Sequence, residues 1–161
     1  MTYIKEIKSL KNEFVVDSDS YSTQVISASF VQYNGTEITY TPEVGATNVV
    51  YEVNFAISPY PDAQGSYLFT RVQYSDDNGS NWTTINETKV LEGTFSSASD
   101  YDWINLSYTF ILSPWNGERK IRLAGRSFNS SSEFTIGRQH YITNQAGDPA
   151  CPHVSIFSVK L

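Results

Sequence analysis

The segment Trp103 to Leu112 sets Ile104, Leu106, Tyr108, Phe110 and Leu112 at every second position, with polar residues between most of them. That period belongs to a β-strand, whose side chains point alternately to opposite faces. A strand with one apolar face needs a second layer to cover it. Val49 to Ile57 repeats the pattern through Tyr51, Val53, Phe55 and Ile57, and Gln24 to Gln32 does so through Ile26, Ala28 and Phe30. From Thr23 onward the chain alternates in this way, punctuated by Gly, Pro, Asn and Ser. About eight to ten short strands at this spacing predict an all-β chain, and an antiparallel β-sandwich of the jelly-roll type fits them.

Further strands are expected at Tyr67 to Tyr74, Trp82 to Val90, Arg119 to Phe128, Glu133 to Ile142 and Val154 to Leu161. Arg119 to Phe128 and Glu133 to Ile142 are joined by Asn129-Ser130-Ser131-Ser132, a turn composition that predicts an antiparallel hairpin. The segment Tyr3 to Phe14 differs, with Ile4, Ile7, Leu10 and Phe14 at helical spacing and three lysines on another face. It reads as a short amphipathic helix or a loose arm, either of which would suit an anchor. The organisation predicted is an arm over residues 1–20 and one sandwich domain over residues 21–161. A chain of 161 residues supports one core of that size.

Composition excludes several classes. Seventeen acidic against eleven basic residues leave a charge of −6, which argues against nucleic acid or an anionic membrane as partner of the whole surface. The single cysteine, Cys151, permits no intrachain disulfide. Met1 to Leu10 contain no apolar run of signal-peptide length, so none is expected, and no stretch is long and apolar enough to insert in a membrane as a helix. Asn-x-Ser/Thr triplets at Asn34, Asn78, Asn81, Asn86, Asn105 and Asn129 are read as chance in a chain rich in these residues.

Between two of the strands lies Ser75-Asp76-Asp77-Asn78-Gly79-Ser80-Asn81-Trp82. Its spacing, S-x-D-x-G-x-x-W, resembles an Asp box. The resemblance implies a hairpin loop in which Asp77 caps turn amides, Gly79 takes backbone angles closed to other residues, and Trp82 packs beneath, with Ser75 completing the set. Sialidases carry several copies around a propeller. This chain has one copy and no repeat of propeller length, so a sandwich is favoured and the motif is structural.

In the final strand Val154 and Ile156 point one way, while Phe157, Val159 and Leu161 fall mostly on the other. A strand apolar on both faces is either central in its sheet or pressed against another subunit. These five residues are therefore candidates for an oligomer interface. Together with Glu43 to Phe55, and in the ending Pro152 to Leu161, the sequence resembles compact jelly-roll domains of tailed-phage virion proteins, including those of marine cyanophages, akin to the trimeric tumour necrosis factor and complement-head superfold. The resemblance spans roughly Tyr21 to Leu161 and is one of style rather than of a diagnostic signature. It implies a homotrimer acting in a virion as head decoration, fibre or receptor-binding knob, in contact with other virion proteins and a host-surface glycan or receptor. It carries over no functional residue.

No nucleophile elbow, phosphate loop or metalloprotease helix occurs, and no enzymatic function or cofactor is expected. Asp76, Asp77, Asp100 and Asp102 could pair for glycoside hydrolysis but read as turn formers. His140, Cys151 and His153 fall short of a four-ligand zinc site, and no metal is expected. Glu118 to Arg126 holds Arg119, Lys120, Arg122 and Arg126, a basic strand whose outward residues suit a solvated face or cross-strand ion pairs or, as a sharper reading, contact with an acidic partner surface or an anionic glycan. Tyr60, Tyr101 and Trp115 are aromatic candidates for surface contact. The alternative to a virion component is a carbohydrate-binding β-sandwich module.

Overall fold

The computed structural model describes residues 24–59, 66–95, 104–128, 134–136 and 153–160. The strands are β1 (Gln24–Ile26), β2 (Val31–Gln32), β3 (Ile38–Tyr40), β4 (Asn48–Pro59), β5 (Ser66–Ser75), β6 (Thr83–Thr84), β7 (Val90–Phe95), β8 (Ile104–Leu112), β9 (Arg119–Ser127), β10 (Phe134–Ile136) and β11 (His153–Val159), with a 3-10 turn at Asn86–Thr88. All the strand pairs are antiparallel. They make two sheets. Sheet A is built on β4, which pairs with β8 along one edge and with β10 and β11 in series along the other, β1 lying outside β10. In sheet B, β9 and β5 form the centre, β2 and β3 share the outer edge of β9, and β6 and β7 share that of β5. The chain passes repeatedly from one sheet to the other, the connectivity of a jelly roll.

The two sheets are held together by the inner residues of their longest strands. Val49, Tyr51, Val53, Phe55 and Ile57 of β4 meet Leu68 and Val72 of β5 and Ile121 and Leu123 of β9 in one cluster, none of them more than 4 % exposed. Tyr33 and Tyr51 are fully buried, and each satisfies its hydroxyl: Tyr51 donates to the Thr36 carbonyl at 2.6 Å, and Tyr33 shares a hydrogen bond with Thr70 Oγ1 at 2.9 Å. Burial raises both phenol pKa values far above the ordinary range, so both stay neutral.

Three expectations are corrected. Gln24 to Gln32 is not one strand: the chain bends at residues 27–30 and leaves sheet A for sheet B, so Ile26 is in the core while Phe30 is 38 % exposed on the outside. Arg119–Ser127 and Phe134–Ile136 do not form a hairpin. Both edges of β9 are already taken, by β5 and by β2 with β3, and β10 pairs with β1 and β4 in the other sheet. In β11, Val154 and Ile156 pack into the chain's own core at 4 % and 0 % exposure, so they offer no surface to a second copy. Phe157 and Val159 lie half-buried on the outer face, and Leu161 is outside the described residues, as is the predicted arm.

Candidate functional site

The outer face of sheet B is set by the parity of β5 and β9. Register pairs Phe69 with Arg126, Arg71 with Ala124, Gln73 with Arg122 and Ser75 with Lys120, and all eight point away from the core. Gln32 of β2 lies beside Ala124, so the face runs on to the next strand. Phe30, turned outward by the bend before β2, receives two guanidiniums: Arg71 lies 3.6 Å and Arg126 5.4 Å from its ring centre. Arg126 also sits 4.4 Å from the Phe69 ring, which stacks on Phe128, and Phe128 meets Tyr67 edge-on. The result is an alternating array of planar groups, Tyr67, Phe128, Phe69, Arg126, Phe30 and Arg71, across one sheet face.

The loop between β5 and β6 completes the face at the other end. Asp77 Oδ1 accepts from Ser75 Oγ at 2.6 Å and from the Asn81 amide at 2.8 Å, and its Oδ2 accepts from Asn81 Nδ2 at 2.6 Å. These donors stabilise the carboxylate and hold the Asp77 pKa down at about 2, the Ser75 hydroxyl contributing most. Ser75 Oγ in turn accepts from the Gly79 amide at 2.8 Å. Gly79 has φ of 93°, in the left-handed region that favours glycine. The turn delivers Trp82, whose Nε1 donates to the Gly79 carbonyl at 3.0 Å, so that its ring lies 3.7 Å from the Arg122 guanidinium. Arg122 also donates to Gln73 at 3.0 Å and to Gln32 at 3.1 Å. The Asp-box residues thus orient one arginine of the face.

The basic residues of β9 are not equivalent. Lys120 pairs with Glu37 at 3.1 Å, and Arg119, of opposite parity, pairs with Asp76 while lying against Tyr74 and Trp115. Among the described residues neither Arg71 nor Arg126 has a carboxylate partner. Arg71 Nε is buried with no hydrogen bond, and burial, followed by the nearby charge of Arg126, lowers the Arg71 pKa.

Of the aromatic candidates, Trp115 is half-buried, edge-on to Tyr40, and helps line a cleft of about 290 Å³ between residues 41–46 and 114–117. Tyr60 and Tyr101 lie outside the described residues, as do His140, Cys151, Asp100 and Asp102. Among the described residues no three His, Cys, Asp or Glu side chains gather as a metal site would require. The outward basic residues of β9 were legible in sequence; Phe69, Arg71, Gln73 and Gln32 carried no mark of a site, and Phe30 was expected on the apolar face with Ile26 and Ala28. The signal was the Phe69-x-Arg71-x-Gln73 alternation on the outward parity of β5.

No family model matches the sequence, and no curated protein does. Among solved structures, the chain is similar to the CBM22-1 xylan-binding domain of Paenibacillus barcinonensis Xyn10C, at 13 % identity over 86 % of this chain and 94 % of that one, with a TM-score of 0.38. It is also similar to TmCBM61, solved in complex with β-1,4-galactotriose, at 16 % identity over 87 % of this chain and 84 % of that one, with a TM-score of 0.32.

Proposed function

We propose that the protein is a non-catalytic carbohydrate-binding module whose ligand lies on the outer face of sheet B. The observation that carries this reading is the array of aromatic rings, guanidiniums and amides held on one regular sheet. A pyranose ring presents an apolar C–H face, which stacks on an aromatic ring, and an edge of vicinal hydroxyls, which matches paired donors and acceptors on planar groups such as Arg and Gln. Phe128, 56 % exposed, and Phe30 supply the stacking surface; Arg126, Arg71 and Gln32 supply the polar edge. Residues on strands hold their positions better than residues on loops, which favours recognition of an extended chain. Affinity electrophoresis against a panel of soluble polysaccharides tests the reading. Retardation by at least one polymer, reduced in Phe30→Ala and Phe128→Ala, is expected; wild-type protein retarded by none would sink it.

A second reading, the self-associating virion component implied by the sequence resemblance, is supported by a separate surface. Phe157, Val50 and Ile111 line up across β11, β4 and β8 on the outer face of sheet A, with Ile111 71 % exposed. Such a row suits contact with a second copy. Light scattering decides this reading: a trimer that Ile111→Asp dissociates without unfolding would support it, and a monomer at every concentration would remove it.

A further inference from the structure

We propose that the saccharide bound on this face is acidic, and that a uronate carboxylate docks between Arg71 and Arg126 above the ring of Phe30. The inference rests on the carbohydrate-binding reading and narrows its ligand class. Two guanidiniums over one ring repel each other, and an opposite charge placed between them favours both charged forms. The same sheet supplies such a charge for two of its other cations, through Asp76 for Arg119 and Glu37 for Lys120, while Arg122 is held by amide oxygens. At Arg71 and Arg126 no such partner is present among the described residues, in a chain with more acidic residues than basic ones.

The donors left over have the geometry for an anion. Arg126 uses Nη1 on the carbonyls of Ser127 and Phe128, at 3.0 and 3.4 Å, which fixes the guanidinium plane. Arg71 Nε is buried and, among the described residues, has no hydrogen-bond partner. A carboxylate presents two coplanar oxygens to a guanidinium fork, and the resulting charge-assisted bonds are shorter and stronger than those to a hydroxyl. Arg122 differs, because Gln73 and Gln32 engage its Nε and Nη1 and hold it at the Trp82 end of the face. The site is therefore the Phe30 end of the face, with Phe128 one array position beyond Phe69 to receive a sugar ring.

The test compares binding to polygalacturonate and alginate with binding to the same polymers after reduction of their carboxyl groups, using the full chain. Roughly tenfold or greater preference for the native polymers is expected, falling with added salt. Arg71→Gln and Arg126→Gln should each abolish the preference. Arg119→Gln, which removes the same charge from the opposite face of the strand, should retain it. Equal binding to native and reduced polymers would overturn the acidic specificity and leave the carbohydrate reading standing. Binding to no saccharide would overturn that reading itself. Binding to poly-glutamate as tight as to the polyuronates would overturn the proposal in favour of an acidic protein partner.

Discussion

The hydroxyl of Tyr33 occupies the space above Gly125: a Cβ built on that glycine would lie 1.8 Å from Tyr33 Oη, 2.4 Å from its Cζ and 2.6 Å from the backbone oxygen of Phe69. Gly125 stands two residues from the end of β9, next to Ala124, and the glycine lets a buried tyrosine from the β2–β3 connection lock sheet B from inside. The lock faces inward while Arg126 and Ala124 face outward, so the strand carries packing and recognition on opposite sides.

Gly125→Ala is expected to destabilise the fold by about 2–4 kcal/mol, because neither a buried ring nor a strand carbonyl can retreat far. Tyr33→Phe, which removes only the bond to Thr70, should cost about 1 kcal/mol. Denaturant unfolding of both variants checks the order.

Asp77 predicts a pH dependence of definite sign. Its carboxylate is held at about 2 in the fold against an unperturbed 3.8, so its contribution is present above the unfolded value and is lost as pH falls through about 2. The stability gap between wild type and Asp77→Asn should be full at pH 5 and close between about pH 4 and 2. Equal gaps at pH 5 and pH 2 would count against the hydrogen bonds described.

Trp82→Phe keeps an aromatic ring under Arg122 but deletes the donor to the Gly79 carbonyl. The expected loss is about 1 kcal/mol. Binding at the Phe30 end should persist, since Trp82 acts through Arg122 and not through Arg71 or Arg126.

Ile156 and Phe157 are adjacent but should behave differently. Ile156→Ala empties a fully buried position and should cost about 2–4 kcal/mol at any protein concentration. Phe157→Asp lies on the outer face; an effect that grows with protein concentration would mark it as a contact between copies, and an effect independent of concentration would mark it as local packing.

The parts of the fold legible in the sequence are those in which one strand keeps one environment along its length. Val49 to Ile57 and Ile104 to Leu112 face a core throughout, so alternation locates and orients them. Gln24 to Gln32 keeps its alternation across a bend where the chain changes sheets, and a period of two carries no record of which sheet a residue joins. The partner of β9 was equally hidden: turn composition suggested the strand that follows it, whereas the register ties it to β5, some fifty residues earlier. The candidate site fell between these cases. Lys120, Arg122 and Arg126 were visible as outward residues, but their meeting with Phe30 and Arg71 depends on pairings between distant strands.

The arrangement of β4 bears on how the chain is made as well as on how it stands. Its edge from Asn48 to Asn54 is claimed by β11, whose residues are synthesised about a hundred positions later. Until then, a nascent chain that has already joined β4 to β8 carries an open row of backbone donors and acceptors. On a crowded polysome the nearest matching strand would belong to a neighbouring chain. The growing molecule therefore passes through a stage in which that edge stays open to its siblings until β11 is free to cover it.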